Sequence, residues 1–158
     1  MSAPDGLSPE VALFWSKIDG SLARLVALVE GVAAAQRSWH PAAPDTNSLA
    51  GILGHVLANA EENICGVVGS ADVPPRDRGI EFGSTGADPA AAYRELCPRL
   101  QFALSSLSGS ELDRVCRHPR RGMISAREVL LVVARHVAEH EGEATLTRAL
   151  LLAATGPG

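Results

Sequence analysis

The chain has 158 residues, 46% hydrophobic, 20% charged and 4% aromatic, with a formal net charge of −4. That length suits a single domain over residues 1–158, and the scarcity of aromatics leaves Leu, Val and Ala to build its core, which favours helix packing over a β-sandwich. An acidic balance with no basic block argues against a nucleic-acid partner, and the apolar runs stop short of membrane-spanning length.

The segment Met1–Gly6 has no basic stretch followed by an apolar one, so no secretory leader is expected. Cys65, Cys97 and Cys116 are odd in number and widely spaced, which fits a reducing cytoplasm better than a disulfide framework. Lys17 is the only lysine, and with many Ala, Gly and Pro this marks GC-rich coding.

Four long helices are predicted. The first opens with Ser8 as N-cap and Pro9 at the first helical position. Val11, Phe14, Trp15, Ile18, Leu22, Leu25, Val29 and Val32 then recur at three- and four-residue steps, the mark of a buried face. The second starts in the cap-rich run Asp45, Thr46, Asn47, Ser48. It passes through Leu49, Ile52, Leu53, Val56, Ala60, Ile64 and Val67 and ends at Gly69. Residues 70–87 form a long connection with Pro74, Pro75, Gly79, Gly83 and Gly86, a length that is uncommon and often functional in compact domains. It is polar apart from one anchor, Phe82.

The third helix opens at Asp88-Pro89 with the stripe Tyr93, Leu96, Leu100, Ala103, Leu104 and Leu107. Pro98 is expected to kink it and Ser108-Gly109-Ser110 to end it. A short turn around Leu112 and Val115 leads into a loop from Cys116 to Gly122, with Arg120-Arg121 as a solvated basic patch. The fourth helix opens with the capping box Ser125 to Glu128 and runs to about Ala154. Its expected inward residues are Val129, Val132, Val133, His136, His140, Leu146 and Leu150. No strand, phosphate loop or internal repeat is predicted. A short link after the first helix and long ones after the second and third suit an all-α four-helix bundle with crossover connections.

His136 and His140 stand one helical turn apart, on the same side and on the apolar stripe. Two imidazoles in that position need partners for their ring nitrogens, or a metal ion to share. His55, flanking the stripe of the second helix, is the candidate third ligand. Three nitrogens from facing helices would leave open positions for water or substrate, the arrangement of catalytic metal sites. Zinc, nickel and iron(II) all accept imidazole, so residue type does not choose among them. Packing or local hydrogen bonds remain the competing explanation for each histidine taken singly.

His40 and His118 are read as solvated loop residues, and Cys116 with His118 as a plain loop rather than a second metal site. His136-Val-Ala-Glu-His140 matches the H-x-x-E-H protease signature, but only 18 residues follow to supply a further ligand. No histidine has Glu three residues before it, which excludes the di-iron Glu-x-x-His pattern. Glu143 lies seven residues beyond His136, and Glu62 seven beyond His55, with Asn59 one turn away. Each could orient an imidazole, hold water or act as a base. The alternative makes Glu139, Glu141 and Glu143 a solvated face.

The run Ser48-Leu-Ala-Gly-Ile-Leu-Gly-His55-Val-Leu-Ala-Asn-Ala-Glu-Glu62, followed by Ile124-Ser-Ala-Arg-Glu-Val-Leu-Leu-Val-Val-Ala-Arg-His136-Val-Ala-Glu-His140, resembles the DinB-like superfamily. That superfamily includes YfiT-like proteins and mycothiol- or bacillithiol-dependent enzymes. The resemblance implies a four-helix bundle with a divalent metal held by His55, His136 and His140, and often a homodimer. It implies a transferase-like enzyme acting on a small-molecule substrate with a low-molecular-weight thiol. The mycothiol-dependent isomerases carry Glu then His on the last helix, where this chain has two His. The alternatives are a hydrolase using metal-bound water and a non-enzymatic dimeric bundle of the stress or damage response.

Overall fold

The computed structural model describes residues 6–83 and 88–156; the expectations for Met1–Asp5 and for Gly86 lie outside the described residues. The fold is predominantly helical with one small sheet. Helix α1 spans Pro9–Glu30, α2 Leu49–Ala60, α3 Arg78–Phe82, α4 Pro89–Ser105 and α5 Ala126–Thr155. Strands β1 (Val115–His118) and β2 (Gly122–Ser125) pair antiparallel, from Val115 opposite Ser125 to His118 opposite Gly122. This hairpin corrects the all-helical expectation and replaces the loop predicted from Cys116. Gly122 has φ +73°, a left-handed value that glycine adopts without steric cost, and it closes the Pro119-Arg120-Arg121 turn.

The predicted helix starts are the observed ones, with differing caps. Ser48 accepts a hydrogen bond from Gly51 N, and Asp88 from Ala91 N. Ser125 and Glu128 make both halves of a capping box. Ser8 occupies the N-cap of α1 without capping; its hydroxyl donates to Leu107 O instead. Helix α4 continues through Pro98 and ends at Ser105, short of the predicted Ser108.

Helix α1 packs against α5, α4 and α2, and α2 against α5. The α1 stripe is buried as predicted, with Phe14 half-buried against the same core. Ile18, Leu22 and Leu25 are fully enclosed, each contributing roughly 1.5–3 kcal/mol of burial. On α5 the inward face is Val129, Leu130, Val133, Val137, Ala144, Thr147 and Leu151. Leu146 and Leu150 are 62% and 43% exposed, contrary to the predicted stripe. The C-terminal half of α5 carries leucines around its whole circumference, so leucine content there does not mark the core face.

Helix α2 does not stop at Ala60. It passes directly into a π-helical run, Glu61–Val68, that ends at Gly69. The wider winding shifts the buried face: Asn63, Ile64, Cys65 and Val68 are buried, while the predicted Val67 is only partly covered. Short stretches of π-helix are frequent at functional sites.

Gly51, one turn before His55, sets the approach of α3. A Cβ at Gly51 would lie 2.8 Å from Phe82 O and 3.2 Å from Phe82 Cα. The absence of a side chain there lets the α3 backbone rest on α2.

Candidate metal centre

Helix α2 contributes His55, and α5 contributes His136 and His140. The three offer ligand atoms that all lie within 4.8 Å of one another, the one such group among the described residues. His55 is 3% exposed, and its Nε2 is 3.1 Å from His136 Nε2. The His136 and His140 rings meet edge to face with centroids 4.5 Å apart.

Carboxylates stand behind two of the rings. His55 Nδ1 is 2.8 Å from Glu81 Oε2, and His140 Nδ1 is 2.6 Å from Glu143 Oε2. Glu81 is itself held by a two-pronged Arg76 contact, 2.7 Å from Nε and 2.6 Å from the terminal nitrogen. Asn47 Nδ2 donates to the other oxygen of Glu143 across 3.0 Å. Phe82 stacks on the His55 ring at 4.5 Å and 19°. A second Arg76 nitrogen contact, 3.0 Å to His55 Nδ1, cannot be a hydrogen bond while that nitrogen carries the proton shared with Glu81.

The electrostatics favour neutral imidazoles at His55 and His136. Burial is the main cause that lowers the His55 pKa, opposed by the Glu81 hydrogen bond. His136 is pushed down to about 3, first by burial and then by His140, His55, Arg76 and Arg78. Burial alone would raise Glu81; the hydrogen bonds from Arg76 and His55 outweigh it and hold the carboxyl below its ordinary value. An ionised Glu81 places the His55 proton on Nδ1, and Glu143 does the same for His140 where it accepts. Both rings then turn an Nε2 lone pair inward.

This donor set fits a divalent cation. His136 Nδ1 is buried and has no partner, while its Nε2 faces a lone pair of His55. In either neutral tautomer, one nitrogen of His136 is unsatisfied or set against another lone pair. A divalent cation held by His55, His136 and His140 would turn that conflict into ligation, with Glu81 and Glu143 orienting two of the rings. Imidazole donors suit zinc, nickel and iron(II) alike.

A cleft of about 340 Å³ opens beside the cluster. His55 and His136 line it with Asn59, Asn63 and four arginines, Arg76, Arg78, Arg120 and Arg121. His118 also lines it, 3% exposed on β1, which corrects its reading as a solvated loop residue; its Nδ1 accepts from Arg120 N. His40 is exposed, as expected.

The two predicted acids have separate places. Glu143 touches His140, three residues before it, rather than His136. Glu62 is held by Arg120 and Arg76 at the rim and not by an imidazole. The sequence reading missed Glu81 and Arg76. The available signal was the cap: Asp77 accepts from Gly79 N and Ile80 N, opening a short helix inside the supposed loop. All three cysteines are free thiols.

Comparison with known proteins places this site in context. A sequence model of the DinB superfamily matches residues 17–144, a span that includes all three imidazoles. No curated protein matches the chain. The crystal structure of a conserved protein from Enterococcus faecalis is similar at a TM-score of 0.67, covering 89% of this chain and 96% of that one. The two share 15% identity, which supports a common fold and nothing finer.

Proposed function

This chain belongs to the DinB superfamily, and we propose that it is a metal-dependent enzyme that transfers a low-molecular-weight thiol to a small electrophile. The observation that carries this reading is the convergence of His55, His136 and His140, with Glu81 and Glu143 behind two of them. A divalent ion, zinc or nickel first and iron(II) next, would supply Lewis acidity that favours the thiolate of a mycothiol- or bacillithiol-type cosubstrate near neutral pH. The chain's own residues do the rest. Glu81 and Arg76 fix the tautomer of His55, Glu143 fixes that of His140, and the cleft admits the second reactant.

The long helices α1, α2 with its π-helical extension, α4 and α5 are read as a four-helix bundle with crossover links, the hairpin being an insertion. Exposed Leu131, Leu146 and Leu150 on α5 offer an apolar surface that would suit a homodimer. The three free thiols support a cytoplasmic location.

Elemental analysis of protein purified without chelators tests the centre. Near-stoichiometric divalent metal is expected in the wild type, with loss in His55→Ala and in the His136→Ala/His140→Ala double variant. Failure to take up any divalent ion under loading overturns the reading. A panel of electrophiles, assayed with and without added thiol, then tests the chemistry.

One observation favours a second reading. The Glu143 side chain touches His140 yet is 33% exposed, so it could take a proton from water as well as orient a ring. Turnover without thiol would identify a hydrolase. A fold undamaged by removing the histidines, with no turnover on the panel, would identify a non-enzymatic bundle.

A further inference from the structure

The cleft beside the imidazoles carries more positive charge than its acids balance. Arg76 comes from the segment that leads into α3, Arg78 from the first position of α3, and Arg120 and Arg121 from the hairpin turn. Glu81 answers Arg76, and Glu62 answers Arg120 and the far nitrogen of Arg76. Arg78 and Arg121 have no hydrogen bond or ion pair among the described residues. Single unpaired arginines are ordinary on a surface. Two that reach one concave cavity from separate segments, beside two further guanidinium groups, build a positive potential that favours an incoming anion.

Two unused acceptors belong to residues that line the same cavity. Asn59 and Asn63 are 7% and 1% exposed, and the Oδ1 of each is buried without a partner. Asn63 Nδ2 is engaged by Asn59 O, which fixes the orientation of that amide. A buried acceptor left unmatched costs about 1–3 kcal/mol, so these oxygens fit a ligand that brings donors.

We propose that the cleft binds a small organic anion: Arg78 and Arg121 hold its carboxylate or phosphate, and Asn59 and Asn63 accept hydrogen bonds from a hydroxyl or amino group on the same molecule. Guanidinium groups match either anion with paired N–H donors. A volume of about 340 Å³ falls at the small end of ligand pockets and fits a metabolite rather than a macromolecule. The proposal rests on the thiol-transfer reading for its chemistry, since it names the electrophile's class, but not for its binding.

The test is calorimetric titration of chelator-treated protein at fixed ionic strength, with succinate, inorganic phosphate, L-malate and neutral succinamide as probes. At least one of succinate and phosphate binds, and the tighter of the two identifies the anionic group. Succinamide binds at least tenfold more weakly than succinate if carboxylate is the group. Malate, with its added hydroxyl, binds more tightly than succinate. The Arg78→Gln/Arg121→Gln variant loses at least tenfold in anion affinity, and Arg78→Lys/Arg121→Lys recovers part of it.

Both arginines are exposed, so the variants should keep the wild-type unfolding midpoint. Anion affinity unchanged in the glutamine variant, or no binding of either anion at millimolar concentration, overturns the proposal. Equal affinity for malate and succinate removes the asparagines from it. Because these titrations use metal-free protein, anion binding without metal uptake would sink the thiol-transfer reading and leave this one standing. Metal uptake without anion binding would do the reverse.

Discussion

Glu81 and His55 lie 26 residues apart in the chain, yet Glu81 Oε2 accepts the Nδ1 proton of His55 across 2.8 Å. The contact fixes which nitrogen of the imidazole faces the centre, and Arg76 keeps the carboxylate ionised while it does so. Glu81 is therefore a positioning residue. Glu81→Gln keeps an acceptor at that place but removes the charge that makes the ring a stronger donor. We expect metal affinity, measured by competition with a chromophoric chelator, to fall roughly 10- to 100-fold while far-UV circular dichroism stays unchanged. An unaltered dissociation constant would remove Glu81 from the site.

Gly51 is expected to tolerate no side chain. Alanine gains about 1 kcal/mol in helix propensity over glycine. Its Cβ meets backbone atoms of Phe82, which cannot rotate away, and overpacking of that kind costs about 1–3 kcal/mol. The Gly51→Ala protein should lose about 1 kcal/mol in urea unfolding and become more readily cleaved by protease within residues 70–83, as α3 lifts from α2. A variant more stable than the wild type would show that α3 yields without cost.

Ser125 begins the helix that carries two of the three imidazoles. Its hydroxyl accepts from Glu128 N, and Glu128 returns the bond to Ser125 N. Ser125→Ala should cost about 1 kcal/mol, read as a fall of roughly 2–4 °C in thermal midpoint for a chain of this size. An unchanged midpoint would mean that the hairpin alone fixes the start of α5.

His118 gives the metal-free protein a pH response. Burial lowers its pKa, with Arg120 and Arg121 adding to the shift and Glu62 opposing it. A histidine depressed in the folded state takes up its proton later than in the unfolded chain. Stability is therefore flat above the unfolded value of about 6.5 and falls as pH drops below it toward the folded value. His118→Asn keeps an acceptor for Arg120 N and removes the proton. Urea unfolding between pH 8 and 5 should show a shallower loss for the variant than for the wild type. Parallel curves would exclude His118 as a contributor.

What the sequence revealed was local. The His136/His140 pair, the caps at Ser48, Asp88 and Ser125, and the buried stripe of α1 are all written within one or two helical turns. His55 was legible because it flanks a stripe. Glu81 and Arg76 were not, because their role depends on how a proline-rich link folds back over α2. The hairpin escaped because each strand has four residues, too few for an alternating pattern to stand out. Its turn converted Arg120 and Arg121 from an apparent surface patch into part of the cleft wall. Leu146 and Leu150 misled because leucine alone does not say which side of a helix has a neighbour.

The π-helical run Glu61–Val68 has a geometric effect that residue types do not disclose. In a uniform α-helix, turning about 100° per residue, Asn63 would point some 80° away from His55. The slower turn of the wider coil brings Asn63 back toward the same side, and it lines the cleft with His55 and Asn59. The helix works as a vernier: a change of pitch brings two scales of side chains into coincidence at one opening.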